Sequence, residues 1–301
     1  MVHYIRSIIP YFTVNAPQLA FIVSSVCRPR RLRWRSGCGD EINFWDKWLG
    51  GRGLKWAEKY RERLDPYQPL QGHLSELIDA RPGEYVKVLD VGAGPVSSVG
   101  KVWKDRTLTL IAVDALAKDY QVLLRKHRIE PVVRTRFSEA ETLTKHFAES
   151  SFDLVHSRNS LDHSIDPIRG IDQMLRVVKN GCYVYLEHLS NEGHAENYTG
   201  LHQWNFGEEN GRFVVSTRAR WKINVSAVFA RRAEIRTDTR TDGRGKWVIV
   251  TMRKCGGAAF APDPVTQTCG NNPPTRGVDR AGVAPSSDVA VPCARVVPHK
   301  K

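Results

Sequence analysis

Between residues 85 and 254, short apolar runs alternate with stretches whose apolar residues recur every three or four positions. The runs at 86–89 and 108–113 are continuously apolar, which is typical of parallel strands buried on both faces. Further strands are predicted at 132–135, 152–156 and 182–186. Strands that alternate with helices predict a parallel sheet covered by helices on both of its faces.

The clearest predicted helix begins after Asp166, which is a favoured N-cap, with Pro167 at the first helical position. Its apolar face consists of Ile168, Ile171, Leu175 and Val178. Asn180 and Gly181 are expected to end this helix, because glycine readily adopts the conformation that follows a helix. A fifth buried strand then follows at 182–186.

Two later strands are predicted near 223–229 and 247–252, and a polar, glycine-containing segment separates them. This pattern favours an antiparallel pair at the end of the sheet. The predicted fold class is therefore α/β and Rossmann-like: a doubly wound, mostly parallel seven-stranded sheet with a C-terminal antiparallel hairpin and an N-terminal helical cap.

Changes in composition divide the 301 residues into four predicted regions. Residues 1–39 form an N-terminal arm, predicted to be an anchor or disordered, and residues 40–80 form a helical cap rich in aromatic residues. Residues 81–254 form the main α/β domain. Residues 255–301 are rich in Ala, Pro, Gly, Thr and Asn without periodicity, which predicts a disordered tail.

The N-terminal arm carries no charge between residues 7 and 27, about the length that spans a bilayer. Pro10, Asn15, Pro17 and Gln18 interrupt it, so it is a poor spanning helix. Two interpretations remain open: a weak, peripheral association with a membrane, or an upstream extension of the reading frame that is not native.

Charge and cysteine usage narrow the choice of partners and compartment. The formal net charge is +13, but the basic residues cluster at 28–35 and 218–244, which favours solvated arms over a continuous nucleic-acid groove. The six cysteines form no C-x-x-C pair. A disulfide framework or zinc site is therefore not predicted. The protein is expected to reside in the reducing cytoplasm.

The candidate chemistry lies where the first two strands end. The first strand ends in Asp90, which is followed by Gly92 and Gly94, and Asp114 closes the second strand twenty positions beyond Gly94. Neighbouring strand ends are where open α/β sheets bind nucleotide-like ligands, and a carboxylate there can accept hydrogen bonds from ribose hydroxyls. The pattern therefore predicts a nucleoside-binding site.

These motifs resemble those of the class I S-adenosylmethionine-dependent methyltransferases. Asp90, Gly92 and Gly94 match the first motif, although Val96 stands where many members have a third glycine, and Asp114 matches the second acid. The stretches 139–141, 152–163 and 175–181 resemble the later motifs in the same order. The resemblance implies S-adenosylmethionine as cofactor, held by Asp90, Gly92, Ala93, Gly94, Asp114, Ala115, Glu139, Ala140 and Ser157.

Two histidines are candidate general bases, a role that is needed only if the acceptor must lose a proton. His163 follows the fourth strand and His188 follows the fifth. Both are therefore expected at the edge where the parallel strands end, which we call the ligand edge of the sheet. Hydrogen bonding within a loop is the alternative role for each. The polar and aromatic segment 187–206 is interpreted as an acceptor lid. His188, His194 and His202 in this segment fit no common metal-ligand spacing, so no metal is predicted.

The leading hypothesis is methyl transfer to an oxygen or nitrogen of a small or medium-sized acceptor. An RNA-directed methyltransferase and a catalytically inactive donor-binding scaffold are the alternatives. A dehydrogenase is disfavoured, because Pro95 removes a main-chain donor from the loop that would bind a pyrophosphate. The Asn-Asn-Pro-Pro sequence at 271–274 resembles a turn of amino-group methyltransferases but lies in the predicted tail rather than after the fourth strand.

Overall fold

The computed structural model describes residues 16–219 and 221–256, with side chains from residue 31 onward except that of residue 33. Residues 1–15 of the predicted arm lie outside the described residues. So does the predicted tail beyond Gly256, including the sequence at 271–274.

The main sheet has seven strands in the order β3-β2-β1-β4-β5-β10-β9. Its strands are β1 (Tyr85–Val91), β2 (Thr107–Asp114), β3 (Arg136–Phe137), β4 (Phe152–Arg158), β5 (Val178–Leu189), β9 (Ala233–Asp242) and β10 (Gly245–Lys254). Strands β1 to β5 pair in parallel, and β10 runs antiparallel to both of its neighbours, β5 and β9. The predicted fold class is confirmed.

The helices are α1 (Ala16–Gly50), α2 (Ala57–Leu64), α3 (Gly72–Ser75), α4 (Ala117–Lys126), α5 (Pro167–Val177), α6 (Glu192–Ala195) and α7 (Val225–Phe229). Short 3-10 turns cover Leu54–Trp56, Ala140–Lys145 and Leu161–His163. Helix α1 crosses the predicted boundary between arm and cap without a break. Within the described residues, no helix is long and apolar enough to cross a membrane.

Helix α5 begins as predicted but ends earlier. The Asp166 carboxylate accepts hydrogen bonds from the amides of Ile168 and Arg169, and Pro167 is the first helical residue. The predicted stop at 180–181 is wrong, because Val178 is already extended (φ −73°, ψ 145°) and begins β5. Gly181, at φ 76°, lies inside the long strand rather than after the helix.

Two strand predictions are also wrong. The third strand comprises only Arg136–Phe137, which pairs with Val113 and Asp114, instead of 132–135. The predicted strand at 223–229 is divided between β8 (Lys222–Asn224) and helix α7, because the Asn224 side chain caps the helix by accepting from the amide of Ala227.

The hairpin partner of β10 is instead β9, an edge strand whose sequence is mostly polar and exposed. A separate antiparallel sheet, not predicted from the sequence, contains β6 (Trp204–Glu209), β7 (Arg212–Thr217) and β8. Its inward residues Phe206, Phe213 and Val215 join the apolar core formed by α5, β4, β5 and β10.

A second apolar cluster fixes α1 against the main sheet's ligand edge. Trp48 and Leu49 of α1 pack with Tyr120, Leu123 and Leu124 of α4, the helix that follows β2. Helix α1 therefore lies beside the carboxyl ends of β1 and β2, where the sequence predicted the nucleoside site.

Candidate functional site

The two motifs that are predicted to bind the methyl donor, at the ends of β1 and β2, lie next to each other. Strands β1 and β2 pair in register, with Val91 opposite Val113, and the amide of Gly94 donates to Oδ2 of Asp114 at 3.0 Å. The other carboxylate oxygen of Asp114, Oδ1, accepts from the amide of Leu116 at 2.9 Å. Burial raises the pKa of Asp114 to about 6.

The glycines of the turn are required by its backbone conformation and by close neighbours. Gly92 and Gly94 adopt positive φ values of 70° and 66°, which side chains rarely adopt. An added Cβ at Gly92 would lie 2.1 Å from Oγ of Ser160, and one at Gly94 would lie 2.7 Å from Cζ2 of Trp45. The missing side chains therefore make room for Ser160 and Trp45 beside the turn.

Asp90 is buried, and both of its carboxylate oxygens have protein partners. Oδ1 lies 2.7 Å from Nδ1 of His156, and Oδ2 accepts from the hydroxyl of Ser97 at 2.6 Å. Burial acts to raise the pKa of Asp90, but the His156 and Ser97 contacts outweigh it and the pKa is lowered. The carboxylate thus stabilises the base of the turn.

The remaining residues that are predicted to bind the methyl donor lie along the same edge of the sheet. Ala93 is buried within the turn, and its amide donates to the carbonyl of Val113, while Ala115 directly follows β2. Glu139 precedes the 3-10 turn that begins at Ala140, and its carboxylate lies 3.4 Å from the guanidinium of Arg31 on α1. Ser157 is buried near the end of β4.

Glu141, which the sequence analysis did not single out as a site residue, joins this edge to α5. Its Oε1 accepts from the amides of Ile165 and Asp166 at 2.8 and 3.0 Å. Burial raises its pKa to about 7. The burial of Glu141 could not be inferred from the acidic turn sequence at 139–141.

The two candidate bases occupy different environments. The ring of His188 is 1% exposed and stacks on Phe206 with 4.3 Å between centroids, and neither ring nitrogen has a hydrogen-bond partner. Burial lowers the pKa of His188 to about 4, so the ring is neutral near pH 7. His163 instead contacts polar groups: its Nε2 lies 3.1 Å from Nδ1 of His202.

Metal-ligating side chains meet in a combination that the sequence analysis did not consider. Asp162, His163 and His202 bring one ligand atom each to within 4.8 Å of one another. His194, which the sequence grouped with His202, is exposed on α6 and outside this set. The two histidines are 39 residues apart, so their meeting could not be predicted from a local spacing.

A group of arginines around Trp247 was likewise missed. Arg158 ends β4, Arg240 lies near the end of β9, and Arg244 lies in the turn before β10. Their guanidinium carbons are 5.2, 5.8 and 5.0 Å from the Trp247 ring centroid. These four residues, which we call the arginine–tryptophan cluster, lie at the ligand edge of the sheet.

Comparison with known proteins identifies a domain within the chain. A family model described as a methyltransferase domain matches residues 89–186. Cycloartenol-C-24-methyltransferase 1 from Oryza sativa subsp. japonica is 28% identical over 156 residues, which cover 50% of this chain and 41% of that protein. The match thus spans about two fifths of the length of this relative.

Solved structures of similar proteins include a SAM-dependent methyltransferase from Methanosarcina mazei, with 20% identity, a TM-score of 0.36, and coverage of 62% of this chain and 99% of that one. Another is phosphoethanolamine N-methyltransferase 2 from Haemonchus contortus in complex with S-adenosyl-L-methionine. It has 13% identity, a TM-score of 0.43, and coverage of 70% of this chain and 59% of that one.

The matched domain begins in β1 and ends in β5, so it contains both donor motifs. The residues at the two strand ends fit an adenosyl cofactor, because a partly buried carboxylate is held beside a glycine turn by main-chain hydrogen bonds. Residues 89–186 thus form a methyltransferase domain, and the order of motifs in and around it resembles that of the class I S-adenosylmethionine-dependent methyltransferases.

Proposed function

We propose that this chain transfers a methyl group to an oxygen or nitrogen of a small acceptor that carries an anionic group. S-adenosylmethionine, when bound, supplies a methyl group that is already activated on a sulfonium. The protein then has to orient the two reactants and exclude water, and good alignment is worth about 7–11 kcal/mol of the barrier. We assign donor binding to the residues predicted from the sequence, with Asp114 accepting from the ribose hydroxyls.

The arginine–tryptophan cluster carries the proposal for an anionic acceptor. Glu187 pairs with Arg240 at 2.6 Å and lies 3.4 Å from Nε of Arg158, so one buried carboxylate faces two guanidinium groups. Nε of Arg158 is buried and has no hydrogen-bond partner. Within residues 31–219 and 221–256, the Arg244 guanidinium makes no ion pair with a carboxylate. The Arg244 guanidinium, which lies over the Trp247 ring, is the member of the cluster whose donors best suit a carboxylate or phosphate.

Positive charge from the helical cap reinforces the cluster. Arg63 of α2 donates to the carbonyl of Val96 at 2.6 Å. Burial, together with the charges of Arg158 and Arg244, lowers the pKa of Arg63 to about 10. Burial and the charge of Arg63 lower the pKa of Lys101 to about 8. After burial, the charges of Arg158 and Arg244 contribute to the lowered pKa of Arg63, so an anion bound between these arginines would be stabilised.

Matched acceptor pairs test the proposal. The full chain would be incubated with labelled S-adenosylmethionine and hydroxylated or aminated compounds, each supplied as a carboxylic acid and as its neutral methyl ester. We expect the acids to be methylated and the esters to react at least tenfold more slowly. Arg158→Gln and Arg244→Gln should each raise KM for the acid about 10- to 100-fold, the loss of one charged hydrogen bond.

Arg125→Gln, on the exposed face of α4, is the matched control and should leave KM unchanged. Equal turnover of acids and esters would overturn the anionic acceptor. Steeply salt-dependent binding of an RNA oligonucleotide would favour the RNA-directed alternative. Tight donor binding without product from any acceptor would favour the inactive scaffold.

We also propose that the protein resides in the cytoplasm, because of its free cysteines. Among the described residues, Cys38, Cys182 and Cys255 are free thiols, which persist in a reducing compartment.

A further inference from the structure

Three side chains with potential metal-ligand atoms converge where two loops meet at the ligand edge of the sheet. Asp162 and His163 lie in the turn after β4, and His202 lies in the segment before β6. The amide of Gln203 donates to the carbonyl of Asp162 at 3.2 Å, which ties one loop to the other. The indole of Trp34 on α1 donates to the carbonyl of His163 at 2.8 Å.

The three ligand atoms form a compact triangle. Nδ1 of His202 lies 2.8 Å from Oδ2 of Asp162 and 3.1 Å from Nε2 of His163, and the third side, from Nε2 to Oδ2, is 3.3 Å. Metal–ligand bonds of about 2.0–2.2 Å at tetrahedral angles separate the ligand atoms by about 3.3–3.5 Å. The third side matches this separation, and the 2.8 and 3.1 Å sides would have to open by a few tenths of an ångström to hold one small cation.

The arrangement differs from that of a hydrogen-bonded proton relay. In a relay, one ring nitrogen of a histidine faces the carboxylate and the other faces the next group in line. Here the same nitrogen of His202, Nδ1, faces both the carboxylate and the second imidazole. Atoms that converge on a common point suit coordination better than stepwise proton transfer.

Two further observations point to a cation. Asp162 is 1% exposed, and its second oxygen, Oδ1, is buried without a hydrogen-bond partner. An unsatisfied carboxylate oxygen is costly unless a charge or donor meets it. The other nitrogen of His163, Nδ1, lies 3.7 Å from Oε2 of Glu41. At this distance Glu41 makes a charge contact rather than a hydrogen bond, and a carboxylate on this side of the ring favours His163 as a ligand through Nε2.

We propose that Asp162, His163 and His202 bind one divalent transition-metal ion. Two imidazoles and one carboxylate suit zinc, iron or cobalt, and three protein ligands leave coordination positions open. If the proposed function holds, an acceptor oxygen would occupy an open position. His163 would then serve as a ligand instead of the general base that the sequence suggested.

Cobalt is the probe for the test. The full chain would be treated with a chelator, dialysed and titrated with CoCl₂. Cobalt binding would be measured by visible absorption and by the metal content of the protein after gel filtration. We expect one equivalent of bound cobalt and a ligand-field band in the visible range. His202→Ala and Asp162→Asn should each lower cobalt affinity at least 100-fold.

His194→Ala removes an exposed histidine eight residues away and should bind cobalt like the parent protein. Glu41→Gln should weaken cobalt binding about 10- to 100-fold while leaving all three ligands in place. Far-UV circular dichroism and S-adenosylmethionine affinity would verify that each variant is folded.

The proposal is overturned if the parent protein shows no bound cobalt, or if His202→Ala binds as much as the parent. Because no acceptor is used, cobalt binding without turnover would refute the proposed function alone. Turnover that is unaffected by complete metal removal would refute a role in the reaction while leaving the site.

Discussion

The amide of Gly94 donates to Oδ2 of Asp114 at 3.0 Å, and this hydrogen bond joins the ends of two neighbouring strands. Since Oδ1 of the same carboxylate accepts from Leu116 at the start of α4, Asp114 is held from both sides by main chain. Its orientation is therefore fixed before any ligand binds, which lowers the cost of ordering on binding.

Replacing Asp114 with alanine should weaken S-adenosylmethionine binding about 10- to 100-fold, because a charge-assisted hydrogen bond is worth about 1.5–3 kcal/mol. Isothermal titration calorimetry measures the change. Asp119→Ala, on the exposed face of α4, should bind as the parent does. Unchanged affinity in Asp114→Ala would refute the ribose-binding role of this residue.

Gly92→Ala should destabilise the fold by about 2–4 kcal/mol, the sum of a positive-φ penalty and overpacking against Ser160. Urea unfolding measures the loss. Gly83 also has a positive φ of 87°, but its Cβ would meet open space, so Gly83→Ala isolates the backbone cost of about 1–2 kcal/mol. A similar loss in both variants would contradict the packing role.

The strands and helices that bury a continuous apolar face were predictable from the sequence. Strands β1 and β2 and the start of α5 agree with the prediction to within one or two residues, since apolar runs and the Asp166 cap act locally. Strand β9 was missed because it is an edge strand and largely solvent-exposed, so its polar sequence carries no burial signal.

The donor motifs could be predicted because each is a short stretch at a strand end. The arginine–tryptophan cluster could not, because Arg158 and Arg244 are 86 residues apart in sequence and meet only through the order of the strands. The same holds for Trp45, whose indole fills the space at Gly94 because α1 packs on α4. Contacts between distant segments leave no periodic pattern.

Ser97→Ala should lower the free energy of unfolding by about 1–3 kcal/mol, because Oδ2 of the buried Asp90 loses its hydroxyl partner. Chemical denaturation monitored by fluorescence measures the difference. Ser98→Ala, at the next position, is the control and should have an effect below about 0.5 kcal/mol. Equal stability of the two variants would show that the Asp90 contact contributes nothing.

Glu141→Gln should change stability in a pH-dependent way. Burial raises the pKa of this carboxyl from 4.5 to about 7, so the folded state holds the proton more tightly than the unfolded state. The stability that protonation contributes is fully present below about pH 4.5 and is lost as the pH rises through 7. Its upper size is on the order of 3 kcal/mol, from 1.36 kcal/mol per pKa unit.

A glutamine can still accept from the amides of Ile165 and Asp166 but carries no charge to bury. We therefore expect Glu141→Gln to be more stable than the parent at pH 8.5 and to lose that advantage at pH 5. Urea unfolding at both pH values measures the difference, and Glu130→Gln, a highly exposed site, should show no comparable pH dependence. An advantage of Glu141→Gln that is equal at both pH values would contradict titration of this carboxyl as its cause.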